Sequence, residues 1–351
     1  MKTLVLILAA VVIGFAAFAA GTDAKTGVWT ADIKESRIVQ MSVFPGRSET
    51  VERRWNNFGG NIIGFRVPMA KLVGLTGADG DTKFTYRAAA GTIDFDGHFK
   101  DNQGAGHFKF TPSDEFVRDM AQLGYTDFRE DSLLIYTIHD LSPAMLRELK
   151  SMGYVPSRRE LDDVAIFGIT PDAIREYARL GYPNLTLREL VNMRVGNVDA
   201  EYINAMRDLG YTSLSAHEIS EMAILGVSPA YVRDLRGAGL DKLTSRQLRD
   251  LRVANITSKK IDDYRRAGYG NLTMRELNDF GLHGVTPEFI DAMRKAGFDS
   301  LSARQLIEMR IFNVTPEYIR QMNEIGVRDL KKMLELRQTG AAEILLRKRA
   351  Q

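Results

Sequence analysis

The chain of 351 residues contains no cysteine. That absence excludes disulfides, thiolate metal sites and a cysteine nucleophile together. It also leaves folding independent of the redox state of the compartment. A net charge excess is missing too, since 47 Lys and Arg stand against 45 Asp and Glu for a formal +2. So small a balance gives no pointer to nucleic acid. Tryptophan occurs twice, at Trp29 and Trp55, and histidine only five times. The chain holds no Gly-x-Ser-x-Gly, no phosphate loop and no dinucleotide fingerprint, so no cofactor is expected. Beyond the first twenty residues no run is long and apolar enough to cross a bilayer.

Those first twenty residues are themselves informative. Lys2 precedes an uncharged apolar run from Leu4 to Phe18, and Ala17-Phe18-Ala19 fits the small-x-small cleavage rule. Residues 1–20 are expected to be a cleaved signal peptide, with an uncleaved anchor as the alternative. The protein is accordingly expected to be exported, periplasmic or secreted, and not to span the membrane once this segment is cleaved.

What the sequence has in abundance is repetition. Gly124, Gly153, Gly181, Gly210, Gly239, Gly268, Gly297 and Gly326 follow one another at steps of 29, 28, 29, 29, 29, 29 and 29 residues. Intervals this regular mark a repeat architecture. Each unit reads as two helices. In one, Thr286 is an N-cap and Pro287 takes the first helical position, where a missing N–H costs nothing. Phe289, Ile290, Met293 and Ala296 then form an apolar stripe, and Gly297 ends the helix. The same grammar is expected at Thr111-Pro112, Ser142-Pro143, Thr170-Pro171, Ser228-Pro229 and Thr315-Pro316, with Asp199 and Ser258 as the capping residues of two variant units.

The other helix opens with a capping box, in which a Ser or Thr and a Glu or Gln three residues on satisfy two orphan N–H groups. Ser157/Glu160, Thr186/Glu189, Ser215/Glu218, Thr244/Gln247, Thr273/Glu276 and Ser302/Gln305 fit it. Leu190, Met193 and Val195, or Leu306, Met309 and Ile311, read as the apolar stripe that follows. Helices of about ten residues are marginal alone, so each hairpin must bury its stripe against the next.

Residues 25–110 alternate instead. Arg37–Phe44, Asn61–Val67, Lys83–Arg87, Thr92–Lys100 and Gly106–Phe110 read as strands, with a hairpin over Asp101-Asn102-Gln103-Gly104. The expected fold is therefore α+β: a small antiparallel β-domain, a sandwich or meander of five to seven strands at 25–110, then an α-helical solenoid of about eight 29-residue two-helix repeats at 111–351. Residues 327–351 would form one basic capping helix. The solenoid is defined by Gly181, Gly210, Gly239, Gly268 and Gly297 and by Pro171, Pro229, Pro287 and Pro316.

Candidate sites are few. His98, His107 and Asp96 are two imidazoles and a carboxylate on one hairpin, a ligand set for a divalent metal. They fit the solvated face of a half-buried sheet equally well. His217-Glu218 lacks the second histidine of a zinc-protease helix, because Glu221 stands at that position. Asp162-Asp163 and Asp262-Asp263 read as solvated pairs. Tyr202, Tyr231, Phe289 and Tyr318, three residues after their caps, are core positions or the lining of a ligand groove.

Charge is uneven along the repeats. Residues 111–230 hold 11 Lys and Arg against 19 Asp and Glu, whereas residues 231–351 hold 23 against 16. The second half therefore offers a basic surface for an acidic ligand or partner. The leading expectation is a non-catalytic scaffold that binds a protein partner. The alternatives are a carbohydrate- or cell-wall-binding protein, with Trp29 and Trp55 at its ligand, and a hydrolase using carboxylates on the solenoid face.

Two features carry a resemblance. One is the repeat grammar of Thr-Pro-Glu-Tyr-Ile, Leu-Ser-Ala-Arg-Gln-Leu and Gly284 to Pro287. The other is the stretch from Ala90-Gly91-Thr92 to Phe110 with Phe95-x-Gly97 and Gly104-x-Gly106. Over residues 60 to 340 the chain resembles the accessory β-plus-helical-repeat region attached to some integral-membrane zinc peptidases of the antibiotic-sensor type. The resemblance implies a bacterial envelope setting and a sensing or regulatory association. It carries over no catalytic residue, because the His-Glu-x-x-His helix is not in this sequence.

Overall fold

A computed structural model describes residues 25–34, 37–46 and 62–349. The expected signal segment and Trp55 lie outside these. The chain is α+β, a seven-stranded antiparallel sheet followed by helices in a repeated arrangement. It divides into two compact units, one through Pro171 and one from Asp172.

In the first unit the strands are β1 Lys25–Ile33, β2 Ile38–Pro45, β3 Ile63–Pro68, β4 Leu72–Val73, β5 Gly80–Ala88, β6 Gly91–Lys100 and β7 Gln103–Pro112. Their order in the sheet is β3-β2-β1-β7-β6-β5-β4. The first strand therefore pairs with the last and joins two meanders. Sequence alternation located five of these strands but neither β1 nor the two-residue β4. One face is apolar, with Trp29, Val39, Met41, Val43, Phe84, Ile93, Phe95, Phe99, Phe108 and Phe110 buried.

The sheet curls strongly. Phe65 on β3 and Tyr86 on β5 are five strand spacings apart, about 24 Å in a flat sheet. Their ring centroids nevertheless stand 6.2 Å apart. Trp29 fills the centre, edge-on to Phe84 at 5.2 Å and to Phe95 at 5.9 Å. Its indole N–H donates to the carbonyls of His107 at 3.0 Å and Asp96 at 3.3 Å. The ring fits because Gly97 and Gly106 face each other beneath it. A Cβ on Gly97 would lie 2.7 Å from the indole and 2.2 Å from the Ala105 carbonyl oxygen.

Four helices complete this unit: α1 Asp114–Gln122, α2 Glu130–Ile138, α3 Pro143–Ser151 and α4 Glu160–Ile166. Helix α2 packs on β5, β6 and β7, so Leu134 and Tyr136 are fully buried. Two sequence expectations change here. Thr111-Pro112 ends β7, and it is Ser113 that caps α1, accepting from the Phe116 N–H at 3.2 Å. Proline at a strand end needs no donor, so the pair suits either role. Asp162 is not simply solvated, since it accepts the Tyr136 hydroxyl at 2.6 Å. Arg158 donates to the same hydroxyl at 2.6 Å and to Ser132 Oγ at 3.2 Å. Burial, with the Asp162 carboxylate beside it, pushes the Tyr136 phenol far up.

The second unit begins with α5 Pro171–Arg179 and then alternates two helix types. The box-capped helices are α6 Leu187–Val195, α8 Ala216–Ile224, α10 Ser245–Val253, α12 Met274–Leu282 and α14 Ala303–Ile311. Between and after them lie α7 Ala200–Asp208, α9 Pro229–Gly237, α11 Ser258–Arg266, α13 Pro287–Lys295 and α15 Pro316–Glu324. All five capping boxes form with both reciprocal bonds. One cap shifts by a residue: Thr257, not Ser258, accepts from the Lys260 N–H at 3.2 Å. The tail is two helices rather than one, α16 Leu330–Gln338 and α17 Ala341–Arg349, because Gly340 takes a left-handed turn between them.

Neighbouring repeats are tied by side chains that reach one unit back or forward. Arg207, Arg236, Arg265 and Arg294 each donate to a carbonyl 27 residues earlier, at the C-terminal end of the preceding repeat's helix. A guanidinium there satisfies an orphan carbonyl and opposes the negative end of the helix dipole. Tyr231 and Tyr318 are core positions, and Tyr202 and Phe289 pack partly buried against the same core. The hydroxyls of Tyr202, Tyr231 and Tyr318 donate to the carbonyls of Val227, Ile256 and Met333 at 2.8, 2.8 and 2.9 Å. In two helices whose cap-plus-three residues are Ala173 and Lys260, Tyr177 and Tyr264 serve Val198 and Val285 from one helical turn further on.

The box-capped helices end in a second series of left-handed residues: Asn197, Gly226, Asn255, Gly284 and Asn313. Gly and Asn alternate, so these interfaces repeat every two units. Over Gly226 and Gly284 lie the guanidinium groups of Arg252 and Arg310, 3.1 and 2.9 Å from where a Cβ would be. After Asn197 and Asn255 the next helix offers Ala223 or Gly281 instead, and the backbones close in.

The box glutamates make stability acid-sensitive. The cap N–H first, then the cap hydroxyl, hold Glu189, Glu218 and Glu276 below the ordinary glutamate value. A depressed folded pKa contributes stability that is complete above the unfolded value and is lost as pH falls through the folded one. Gln247 and Gln305 close the same box without titrating. The triple variant E189Q/E218Q/E276Q is therefore expected to lose less thermal midpoint than wild type between about pH 5 and 3. Equal slopes in a calorimetric pH series would refute the assignment.

Candidate functional site

The sequence-predicted metal residues lie on the outer face of the sheet. Asp96 and His107 are cross-strand partners, and His98 stands two residues along β6 opposite Ala105. Strand β5 draws the first and last of these the other way. Asp96 pairs with Lys83 at 2.9 Å and His98 with Asp81 at 3.0 Å. Among the described residues no group of three His, Asp or Glu side chains is placed to hold a metal ion. His217 lies 3.5 Å from Glu221, which also pairs with Arg249 on the neighbouring α10.

The described residues include two open clefts. One of about 300 Å³ lies between Phe65, Lys71, Tyr86 and His139, and there Lys71 is already paired with Asp140 at 2.9 Å. The other, about 540 Å³, lies between α13 and α15 and is lined by Ala292, Lys295, Ile319 and Arg320. Neither brings two carboxyl groups together with raised pKa values. The carboxyl groups with displaced pKa values, such as Glu160, Glu189 and Asp263, are displaced downward by hydrogen bonds. Trp29, a candidate glycan contact, is 1% exposed with its N–H used internally.

A different feature stands out on the box-capped helices. Val195, Ile224, Val253, Leu282 and Ile311 close α6, α8, α10, α12 and α14 in turn and are 46, 49, 59, 58 and 50% exposed. Val195 and Ile311 read from sequence as part of the buried stripe. The helix phase overturns that, because Val195 is two residues, about 200°, beyond the fully buried Met193. It points away from the core, as Ile311 does after Met309.

Position by position, the exposed face repeats as a basic residue, a polar or acidic residue four on and an aliphatic residue seven on, all within about 60° of the helix circumference. The members are Arg188/Asn192/Val195, His217/Glu221/Ile224, Arg246/Asp250/Val253, Arg275/Asp279/Leu282 and Arg304/Glu308/Ile311. Arg304 and Glu308 stand 2.8 Å apart, and Arg275 and Asp279 3.8 Å. The carboxylates are thus neutralised along the helix, and the aliphatic row is left as the distinctive surface.

Scattered exposed aliphatic residues need no explanation. A row at one helix position does. The repeats have diverged enough to carry Val191, Ser220, Arg249, Asn278 and Ile307 at another shared position. At the row position every substitution stays aliphatic. The signal was present in the sequence as a 29-residue recurrence of Val, Ile and Leu, but it merged with the core stripe until the helix phase was set by Leu190 and Met193.

Among the described residues no helix is long and apolar enough to cross a membrane. Compared with known proteins, no family profile matches the chain, and no curated protein matches it closely enough to count as a relative.

Proposed function

We propose that this chain is an exported, non-catalytic scaffold that binds a protein partner along the box-capped face of its second unit. The observation that carries this reading is the row from Val195 to Ile311, five half-exposed aliphatic side chains at one position of five successive helices. Burying one such side chain contributes about 1.5–3 kcal/mol at most. Because the five side chains are only half exposed, a partner covering them all would gain about 4–8 kcal/mol from the row, comparable to the lower end of the cost of association. The resemblance to an accessory region of envelope sensors supports an envelope setting and a regulatory association.

The test is cross-linking and affinity capture of the mature chain from its own envelope fraction, with V253E/L282E alongside. Both positions are exposed, so the variant is expected to keep its helical signal and thermal midpoint. Capture of a discrete protein by wild type, reduced about tenfold or more in the variant, supports the reading. Equal capture by both proteins, or retention on cell-wall polysaccharide alone, overturns it.

A further inference from the structure

We propose that the cleft between α13 and α15 is a binding site for one arginine side chain presented by another protein. The site stands apart from the aliphatic row and does not depend on it.

The same place is filled from within the chain at four earlier seams. Between α5 and α7, α7 and α9, α9 and α11, and α11 and α13, the eighth residue of the later helix is Arg207, Arg236, Arg265 or Arg294. Each guanidinium donates to the carbonyl 27 residues earlier, that of Leu180, Leu209, Ala238 or Ala267. Three of them also lie over the left-handed glycine that follows. Nη2 of Arg207, Arg265 and Arg294 stands 3.1, 3.9 and 3.5 Å from where a Cβ on Gly181, Gly239 or Gly268 would be.

The seam between α13 and α15 breaks the series. Its eighth residue is the exposed Asn323, whose side chain ends at a short amide. The corresponding acceptor is the Ala296 carbonyl, and among the described residues no hydrogen bond reaches it. Nothing lies within 4 Å of a Cβ placed on Gly297. The space that a guanidinium and its stem take up at the other seams is here part of an open cleft of about 540 Å³.

The cleft keeps the chemistry of the filled seams. A carbonyl without a donor at the end of α13 carries the negative end of the helix dipole. Ala292, Ala296, Pro316 and Ile319 give apolar walls for an aliphatic stem. Around them Lys295 pairs with Asp291 at 2.7 Å, and Arg320 pairs with Glu317 at 2.6 Å and Glu324 at 3.9 Å. Three carboxylates against two cations leave this group with one net negative charge. A guanidinium suits it better than an ammonium, because a planar fork can serve the carbonyl while its face lies on an aromatic ring. Arg236 stands in this way over Tyr211, 6.0 Å from the ring centroid. Phe298 follows Ala296 by two residues, as Tyr211 follows Leu209. The four internal arginines reach their carbonyls from a neighbouring helix, and a chain docked over the cleft can present its residue likewise. A free amino acid would bring its own carboxylate to a site of negative charge.

The experiment uses the full mature chain, isotopically labelled, and blocked pentapeptides carrying arginine, lysine or citrulline between pairs of alanines. Citrulline is the neutral isostere of arginine. In amide-resolved magnetic resonance spectra, the arginine peptide is expected to shift Gly297 and Phe298 saturably. It should bind about fivefold tighter, or more, than the lysine and citrulline peptides. N323R supplies the guanidinium from within, and is expected to abolish those shifts and to raise the thermal midpoint by about 2–4 °C. Equal binding of the citrulline or the lysine peptide, shifts that persist in N323R, or a midpoint that does not rise overturns the inference. Tighter binding of free arginine than of the blocked peptide would make the ligand a free amino acid and overturn the assignment to a protein. Partner capture that depends on Val253 and Leu282 stands or falls separately from these results.

Discussion

Trp29→Ala is expected to destabilise the first unit by about 3–5 kcal/mol, the usual range for removing a large buried aromatic. Three losses combine. The indole contacts Phe84, Phe95 and Phe99 at centroid distances of 5.2, 5.9 and 5.6 Å. Its N–H serves the His107 and Asp96 carbonyls. The glycines that make room for it, Gly97 and Gly106, have no side chain to refill the space. A domain is typically stable by only about 5–15 kcal/mol, so the sheet should be marginal in the variant. Trp29→Phe keeps a ring and loses the donor, and should cost less. Urea denaturation followed by circular dichroism checks both. A cost below about 1 kcal/mol for the alanine variant would mean that Trp29 does not hold the curled sheet together.

Gly281→Ala and Gly237→Ala are expected to act in opposite directions. Both glycines lie in helices, α12 and α9, where alanine is intrinsically better by about 1 kcal/mol. At Gly237 a Cβ would meet nothing within 4 Å, so the substitution should stabilise by about 0.4–1 kcal/mol. At Gly281 the Cβ would lie 2.2 Å from the Ala254 carbonyl oxygen and 2.9 Å from Ile256 Cδ1. Backbone cannot swing aside as a side chain does, so α12 must move off its neighbour. Overpacking of this kind costs about 1–3 kcal/mol, which exceeds the propensity gain. Thermal unfolding of the two variants against wild type decides it. If Gly281→Ala raises the midpoint, the close approach of these helices is wrong.

Much of the second unit was legible because each helix carries its own start and stop. A Ser or Thr cap, a Glu or Gln three residues on and a left-handed glycine are local signals, and those at Thr186, Ser215, Thr244, Thr273 and Ser302 form the bonds that their spacing implies. The second left-handed series escaped notice because Asn197, Asn255 and Asn313 occupy three of its five places. Asparagine tolerates that conformation without marking it as glycine does. With the series went the two-repeat alternation of Arg252 and Arg310 with Ala223 and Gly281. The first unit was less legible. The central strand β1 carries the weak pattern Lys25-Thr26-Gly27-Val28-Trp29, and its identity as a strand depends on partners β2 and β7 on either side.

By itself the sequence determined the α+β class, the 29-residue period, the helix caps and the absence of thiol chemistry. Each of these is written in residues within one helical turn or at a fixed interval. Tertiary structure decided which side of each helix meets the core. Val195 and Ile311 stand two residues after the core methionines in sequence, yet they face out because Met193 and Met309 are held in by the adjoining repeats. It also decided that a seven-stranded sheet curls until β3 and β5 share side-chain contacts. Curling depends on where Trp29 can be accommodated, and that place lies across two other strands, 68 and 77 residues away at Gly97 and Gly106.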